Sequence, residues 1–154
     1  MIRALGIDLG NLTGWAVSDL PKSCMIQLVL GANEHPGARL ARLNYDLNRI
    51  INMYQPNLIV TENTCFSGPR GGGTNSSLAE LTGILKFAAF KYGIAVKTVA
   101  VGTLKKWTAG DGRASKEEMV AAVNQRWPEY GCITNHNVAD AIACAQWGVI
   151  HGVC

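Results

Sequence analysis

The sequence contains no run of about 18 or more apolar residues, and no basic segment leads into an apolar stretch at its start. A helix that crosses a bilayer needs about 20 apolar residues, and a secretory signal has the second pattern. We therefore expect neither insertion into a membrane nor secretion, and no membrane among the partners.

The cysteines lack the spacing of a metal or redox site. They are five, an odd number, and no two of them form a C-x-x-C pair, the arrangement that zinc ribbons and redox dithiols use. We predict reduced thiols in a reducing compartment. These residues are Cys24, Cys65, Cys132, Cys144 and Cys154.

Internal repeats, linkers and low-complexity tracts are also absent. The 154 residues have the length of one ordinary domain, and a hydrophobic content of 48% supplies enough apolar surface for a core. We predict a single domain over residues 1–154. The net charge is only +3, yet eight of the 14 Lys and Arg residues lie between residues 86 and 126, against three of the 11 acids. Such a locally basic surface favours a polyanionic partner.

Hydrophobic periodicity predicts the secondary structure. Short apolar or alternating segments predict strands at 2–9, 13–19, 24–30, 57–62 and 94–101. Helical patterns cover 36–55, about 76–92, 115–127 and 134–150, with a short helix near 103–108. Ser115 with Glu118 forms a capping box. The order indicates an α/β fold with a mixed sheet, in which a three-strand antiparallel meander is joined by parallel strands and flanked by helices.

Three carboxylates stand at unusual places. Asp8 interrupts the first apolar strand and Glu62 ends the fourth, although each alone fits an ordinary residue at a strand end. Asp140 is the one full charge in an apolar helix of small residues. If that helix begins near Asn135 or Asn137, Asp140 lies in its first turn, where a carboxylate opposes the helix dipole.

Together the three acids predict a metal site. The first and fourth strands are candidates for neighbours, and the late helix can pack beside them. Clustered carboxylates repel one another unless a divalent cation is present, and such hard oxygen ligands select Mg²⁺ or Mn²⁺. Two such ions, about 3.5–4 Å apart, activate a water and stabilise the leaving oxygen in phosphodiester hydrolysis.

Four segments of the sequence resemble a known family. They are LGIDLGNLTGWAV, LIVTEN, LKKWTAGDGRASKEEM and NVADAIACA, and they resemble, in order, the conserved blocks of the RuvC-type Holliday junction resolvases. The resemblance implies a ribonuclease H-like fold. It implies a Mg²⁺-dependent homodimer, with Mn²⁺ as a substitute and two ions per active site. That dimer would bind four-way DNA and nick two opposing strands, leaving 5′-phosphate and 3′-hydroxyl ends.

The resemblance also implies roles for the acids. Asp8, Glu62 and Asp140 match the catalytic, metal-binding carboxylates of the family. Family members carry a further carboxylate or a His three residues before the last Asp, and this chain has Asn137 there, with His136 beside it. Both are candidates for the fourth metal ligand, since positions 136 and 137 project toward the face of Asp140. His136 is equally compatible with a local hydrogen bond at the helix start.

Basic residues of the resemblance predict DNA contacts. Lys105 and Lys116 match basic residues near the scissile phosphate, and Lys116 is assigned a catalytic role, since an ammonium group there screens transition-state charge. Lys106, Arg113 and Lys97 are further candidate phosphate contacts. A solvated lysine-rich helix face is the alternative.

Two further features follow from the resemblance. In the glycine-rich loop after Glu62, Phe66 is a candidate for stacking on an unpaired base and Arg70 for holding a phosphate; a solvent loop without a partner is the alternative. The small-residue helix at 76–92 corresponds to the dimer interface of the family, and packing inside the monomer is the alternative.

Other functions stay open. A broader branched-DNA nuclease or a YqgF-like RNA-processing enzyme shares the fold, and a junction-binding module that does not cut is compatible with the Asn137 departure. A sugar-kinase or actin-like ATPase needs a duplicated domain for which this chain has no room. We expect a location in the cytoplasm of a bacterium or a phage-infected cell, with an organelle as an alternative and a branch-migration motor left open as a partner.

Overall fold

The structure is a computed structural model that describes residues 1–63 and 74–152, without the side chains of residues 74–76. The described strands are β1 (Ala4–Asp8), β2 (Leu12–Val17), β3 (Lys22–Gln27), β4 (Leu58–Asn63) and β5 (Ala95–Ala100). The described helices are α1 (Ala38–Tyr54), α2 (Thr74–Lys91), α3 (Val101–Ala109), α4 (Lys116–Arg126) and α5 (His136–His151). The predicted order of elements is confirmed, and the short helix near 103–108 is α3.

The five strands form one mixed sheet in the order β3-β2-β1-β4-β5. β2 pairs antiparallel with β1 and β3, whereas β4 pairs parallel with β1 and β5. The predicted meander with added parallel strands is therefore confirmed. Because β1, β4 and β5 run in the same direction, their carboxyl ends meet at one edge of the sheet.

Helices cover both faces of the sheet. Alternate residues of β1 belong to different cores: Leu5 and Ile7 pack with α1 and α2, whereas Ala4 packs with α3, α4 and α5. The helix predicted over 36–55 is α1, and it packs on the sheet through one apolar face, since Leu43, Leu47, Ile50 and Ile51 are buried. Within the described residues, no helix is both long enough and apolar enough to cross a membrane.

Two glycines let α5 lie directly on the sheet. A Cβ atom at Gly6 would stand 2.0 Å from the carbonyl oxygen of Ala141, and one at Gly14 would stand 2.1 Å from that of Asn137. Both distances are far below van der Waals contact, so only glycine fits there. The helix is thereby held against β1 and β2 at the end where its first residues meet the carboxyl edge of the sheet.

One short element escaped the sequence analysis. Residues Pro128–Tyr130 form a single 3₁₀ turn between α4 and α5. The hydroxyl of Tyr130 donates to the carbonyl of Val17 at 2.5 Å and accepts from the amide of Gln146 at 3.1 Å. This buried hydroxyl links the turn to both the sheet and α5.

Candidate catalytic carboxylate site

Asp8 and Glu62 lie side by side at the carboxyl edge of the sheet. Asp8 is the last residue of β1 and Glu62 is the residue before the last of β4. They directly follow the paired residues Ile7 and Thr61 of the two parallel strands. Side chains two residues apart on a strand share a face. Asp8 and Glu62 stand two residues after Gly6 and Val60, which pack under α5, so they lie on the face that α5 covers, and both are half-buried.

Asp140 reaches the same place from α5. Asn135 caps this helix, and its side-chain oxygen accepts from the backbone N–H groups of Asn137 at 2.9 Å and Val138 at 3.2 Å. Asp140 is therefore the fifth helical residue, and the expectation that it lies in the first turn is wrong. Capping and the helix dipole do not explain it, because those effects fade within the first turn.

Burial and mutual repulsion make the three acids hard to ionise. Burial raises the pKa of Asp8 to about 8, helped by the Glu62 and Asp140 carboxylates and opposed by the Lys116 ammonium. Burial also raises the pKa of Glu62 to about 7, with Asp140 adding to the rise and Lys105 opposing it. The pKa of Asp140 rises to about 6 by burial, against the lowering effect of Lys105 and Lys116. These raised pKa values agree with the prediction from the sequence that the three clustered acids repel one another without a cation.

Two lysines supply the positive charge of the site. Lys105 of α3 is half-buried, and its ammonium donates to the carbonyl of Ala114 at 2.8 Å. Lys116 is the first residue of α4, behind the Ser115 cap. A cation at a helix N-terminus opposes the dipole, so local helix energetics do not account for Lys116, whereas the nearby carboxylates do.

The donor set fits a hard divalent cation. One carboxylate oxygen of Asp140, Oδ1, is buried and has no hydrogen-bond partner among residues 1–63 and 74–152, and such an atom is expensive unless something binds it. Two lysines do not neutralise three acids fully, as the raised pKa values show. Within the described part of the chain, however, no three His, Cys, Asp or Glu side chains are already close enough to form a metal-binding group. A bound ion would therefore have to draw the carboxylates together.

The two candidates for a fourth ligand have different surroundings. His136 lines a groove with Lys116 and Glu117 of α4. Burial lowers the pKa of its imidazole, the Lys116 ammonium lowers it further, and the Glu117 carboxylate opposes this fall. Asn137 lies beside β2, where its backbone carbonyl closes over Gly14. The charges that act on His136 are thus on α4, and the shift does not come from Asp8, Glu62 or Asp140.

The remaining predicted DNA contacts are dispersed. Lys106 lies exposed on α3, and Arg113 is exposed in the connection before α4. Lys97 donates to the carbonyl of His151 at 3.2 Å, near the end of α5 that is remote from Asp140. Phe66 and Arg70 lie outside the described residues.

Lys105, predicted as a DNA contact near the scissile phosphate, lies where its ammonium lowers the pKa of Glu62 and Asp140. The sequence analysis missed one neighbour of the site. It gave Cys144 no place, although this residue is buried one helical turn after Asp140, where burial and the three acids raise the pKa of its thiol. The spacing of Asp140 and Cys144, i and i+4, was the available signal. The described thiols Cys24, Cys132 and Cys144 are free, as predicted.

Comparisons with known proteins show the family to which the chain belongs. Residues 4–148 match the family described as Crossover junction endodeoxyribonuclease RuvC. The relative of that name from Rickettsia typhi is 30% identical over 153 residues, which are 95% of this chain and 96% of the relative. The one from Rickettsia akari is 31% identical over 148 residues, 92% of each chain.

Solved structures show the same fold. The RuvC of Thermus thermophilus superposes with a TM-score of 0.79 at 21% identity, covering 98% of this chain and 95% of that one. The same protein in complex with a Holliday junction substrate gives a TM-score of 0.79 at 22% identity over 99% and 95% of the chains. The yeast mitochondrial Holliday junction resolvase Ydc2 gives 0.64 at 13% identity, over 94% of this chain and 76% of that one. The predicted ribonuclease H-like fold is confirmed, and the chain belongs to the RuvC family of crossover junction endodeoxyribonucleases.

Proposed function

We propose that the protein is a Mg²⁺-dependent endonuclease that resolves four-way DNA junctions by paired nicks. The observation that carries the proposal is the convergence of Asp8, Glu62 and Asp140 on one spot, with raised pKa values and one unpartnered buried oxygen. Membership of the RuvC family supports DNA junctions as the substrate.

The three carboxylates would hold the metal. When bound, two Mg²⁺ ions supply an activated water and charge stabilisation at the leaving oxygen. Asp8 and Glu62 offer oxygens from rigid strand ends, and Asp140 offers its unpartnered Oδ1 from α5. Asn137 and His136 both stay candidates for a fourth ligand, since they precede Asp140 by three and four residues on α5.

The lysines would position and screen the phosphate. Lys116 is exposed, at the boundary between the carboxylates and solvent, where a phosphate of the DNA backbone can reach it. Lys105 is held in place by its hydrogen bond to Ala114, so it can balance Glu62 and Asp140. Lys106 and Arg113 would contact more distant phosphates, and we retain Phe66 and Arg70 as candidate junction contacts from the sequence.

We propose that two copies of the chain act together. Along α2, the exposed residues Ala79, Gly83, Phe87 and Phe90 follow one another at helical spacing. Phe87 is 58% exposed and Phe90 is 85% exposed, and a Cβ atom at Gly83 would meet none of the described residues within 4 Å. Packing among the described residues of one chain therefore does not explain this surface, and a two-fold dimer would suit a substrate with near two-fold symmetry.

The decisive experiment uses an end-labelled four-way junction and a linear duplex of the same sequence. Wild-type protein, Asp8→Asn and Asp140→Asn are incubated with each DNA, first with Mg²⁺ and then with Mn²⁺. We expect paired, ligatable nicks near the branch point from wild type alone and on the junction alone. Both variants should still shift the junction in a gel, and Asp8→Asn at least as well as wild type, because it removes a negative charge.

Asn137 favours one other function. A neutral amide at this position holds a cation less strongly than a carboxylate, which is the property of a junction-binding module that does not cut. Binding without nicks at any Mn²⁺ concentration would establish that function instead. Equal cleavage of junctions, forks and linear or RNA duplexes would establish a broader nuclease.

A further inference from the structure

A groove runs away from the carboxylate site between α4 and the start of α5. Its walls include Lys116, Glu117 and Ala121 of α4, and Thr134 and His136 on the other side. Its volume is about 410 Å³, within the range of about 300–1,000 Å³ that is typical of small-molecule sites. Lys116 belongs both to this groove and to the carboxylate site, so the two are continuous.

The charges of the groove change along its length. At its mouth, Lys116 presents an ammonium group beside the carboxylates. Next to it, Glu117 presents a carboxylate that acts on the same imidazole of His136 as Lys116 does. The carboxylate of Glu117 would repel a second phosphate, whereas it would accept a hydrogen bond from an amino group.

Part of the groove is apolar, and its shape is firmly held. Val120 and Ala121 line it beside the charged residues, and a flat ring can rest on such a surface. The side chain of Asn124 also lines the groove, but both of its polar atoms are already used: Nδ2 donates to the carbonyl of Ile133, and Oδ1 accepts from the N–H of Ile133, each at 2.8 Å. This pair ties the connection before α5 to α4, so the groove keeps its shape and Asn124 is not free to read a ligand.

We propose that this groove binds the base of a nucleotide that adjoins the scissile phosphate, and that it selects a base with an exocyclic amino group through the carboxylate of Glu117. Adenine, cytosine and guanine carry such a group and thymine does not, and Glu accepts from base amino groups in known readout. Lys116 holds the phosphate at the mouth, and the hydroxyl of Thr134 lies along the wall. The inference rests on the proposed function and adds a cut-site preference to it.

The test compares cleavage rates on junctions that differ only in the base at each of the two positions flanking the cut. Wild type is compared with Glu117→Ala, which removes the acceptor, and with Ala121→Phe, which fills the groove. Gln125→Phe is the matched control, because it places the same ring at an exposed position of α4 that does not line the groove. Thermal unfolding of each variant verifies that it is folded.

We expect wild type to cut the junctions with an amino-bearing base faster than those with thymine at one position, by about fivefold or more. Glu117→Ala and Ala121→Phe should reduce this ratio to below about twofold, whereas Gln125→Phe should keep it. An unchanged ratio in both groove variants, or equal rates of wild type on all bases, would overturn the inference and leave the proposed function intact. Uniformly faster cleavage by Glu117→Ala with the ratio kept would also overturn it and identify a phosphate site instead. If wild type nicks no junction, the proposed function itself fails.

Discussion

A carboxylate near other carboxylates is an unstable arrangement without a cation, and Asp8 shows this most clearly. Its pKa of about 8 lies far above the value of an exposed aspartate. In the metal-free protein, Asp8 therefore keeps a proton at pH values where the unfolded chain has lost it. Such a difference links protonation to stability.

We predict that the metal-free protein loses stability as the pH rises. From about pH 4, where an aspartate of an unfolded chain ionises, to about pH 8, the folded chain binds more protons than the unfolded chain, so its free energy of unfolding falls. Because one pKa unit corresponds to about 1.4 kcal/mol, we expect a fall of roughly 2–4 kcal/mol from pH 5 to pH 8. Urea unfolding in a chelator measures it, and Mg²⁺ should restore stability at pH 8 far more than at pH 5.

The variant Asp8→Asn separates this effect from other titrations. It should be more stable than wild type at pH 8, and the difference should close toward pH 5, since wild-type Asp8 is then protonated too. Glu129→Gln, at an exposed position of the 3₁₀ turn, serves as the control and should follow wild type. If the free energy of unfolding changed with pH in the same way for wild type and Asp8→Asn, the result would contradict the link between the burial of Asp8 and its need for a metal ion.

Lys116 occupies a position that its helix does not favour, which indicates a role in the site. We predict that Lys116→Ala slows junction cleavage by about 100-fold or more, as expected when a group that stabilises developing charge is lost. The slope of log binding constant against log salt should also flatten by about one. Single-turnover cleavage and salt-dependent gel shifts measure both quantities.

The control for that variant is Lys22→Ala. Lys22 is exposed at the start of β3, opposite Val17 of β2 and thus at the other end of the sheet from Asp8. Lys22→Ala should leave the cleavage rate and the salt dependence of binding near the wild-type values. An unchanged cleavage rate in Lys116→Ala would make this lysine a solvated residue of the helix face.

At the scale of elements, the site depends on how closely α5 approaches the sheet. We predict that Gly14→Ala costs about 1–3 kcal/mol or more, as overpacking does, because the new Cβ would stand 2.1 Å from the carbonyl oxygen of Asn137. The shift of α5 away from β2 should also displace Asp140 and reduce cleavage more than junction binding. Urea unfolding and cleavage assays measure the two effects.

Gly102→Ala is the matched control on α3. Its Cβ would meet nothing nearer than the carbonyl oxygen of Gly112 at 3.8 Å, which is ordinary contact, so stability and cleavage should stay near wild type. Wild-type stability in Gly14→Ala would mean that α5 is not held by this contact.

The sequence predicts elements better than it predicts how they meet. Periodicity sufficed for the order of elements along the chain, for the helix α1 and for Asp8 and Glu62 at strand ends, because each depends on local spacing. The place of Asp140 within α5 was wrong because Asn135 is the cap, and a helix that begins there places Asp140 beyond the first turn; only a start at Asn137 would have placed it inside. The 3₁₀ turn before α5 and the location of Lys105 depend on contacts between distant segments, which spacing along one chain does not reveal.

At the scale of the whole molecule, one surface of the monomer is unusual. Phe87 and Phe90 expose most of their rings on α2, beside small residues that leave space above the helix. Large apolar side chains grouped in this way mark an interaction surface. The carboxylate site lies at the edge of the sheet next to this helix, so a dimer through α2 would place two sites on one junction.

We predict that Phe90→Asp converts the proposed dimer into a monomer. A charge at the centre of an apolar interface is costly to bury unpaired, so the apparent mass in light scattering should fall to that of one chain at micromolar concentration. The monomer should nick one strand at a time, and the yield of paired, ligatable products should fall by about tenfold or more, as expected when the second nick no longer occurs within one complex.

Tyr45→Asp is the matched control, since Tyr45 is also an aromatic residue, 64% exposed, on the outer face of α1, and it should leave mass and products unchanged. A Phe90→Asp protein that keeps the mass of two chains would show that α2 is not the interface, and a wild type that is monomeric at the same concentration would remove the dimer from the mechanism.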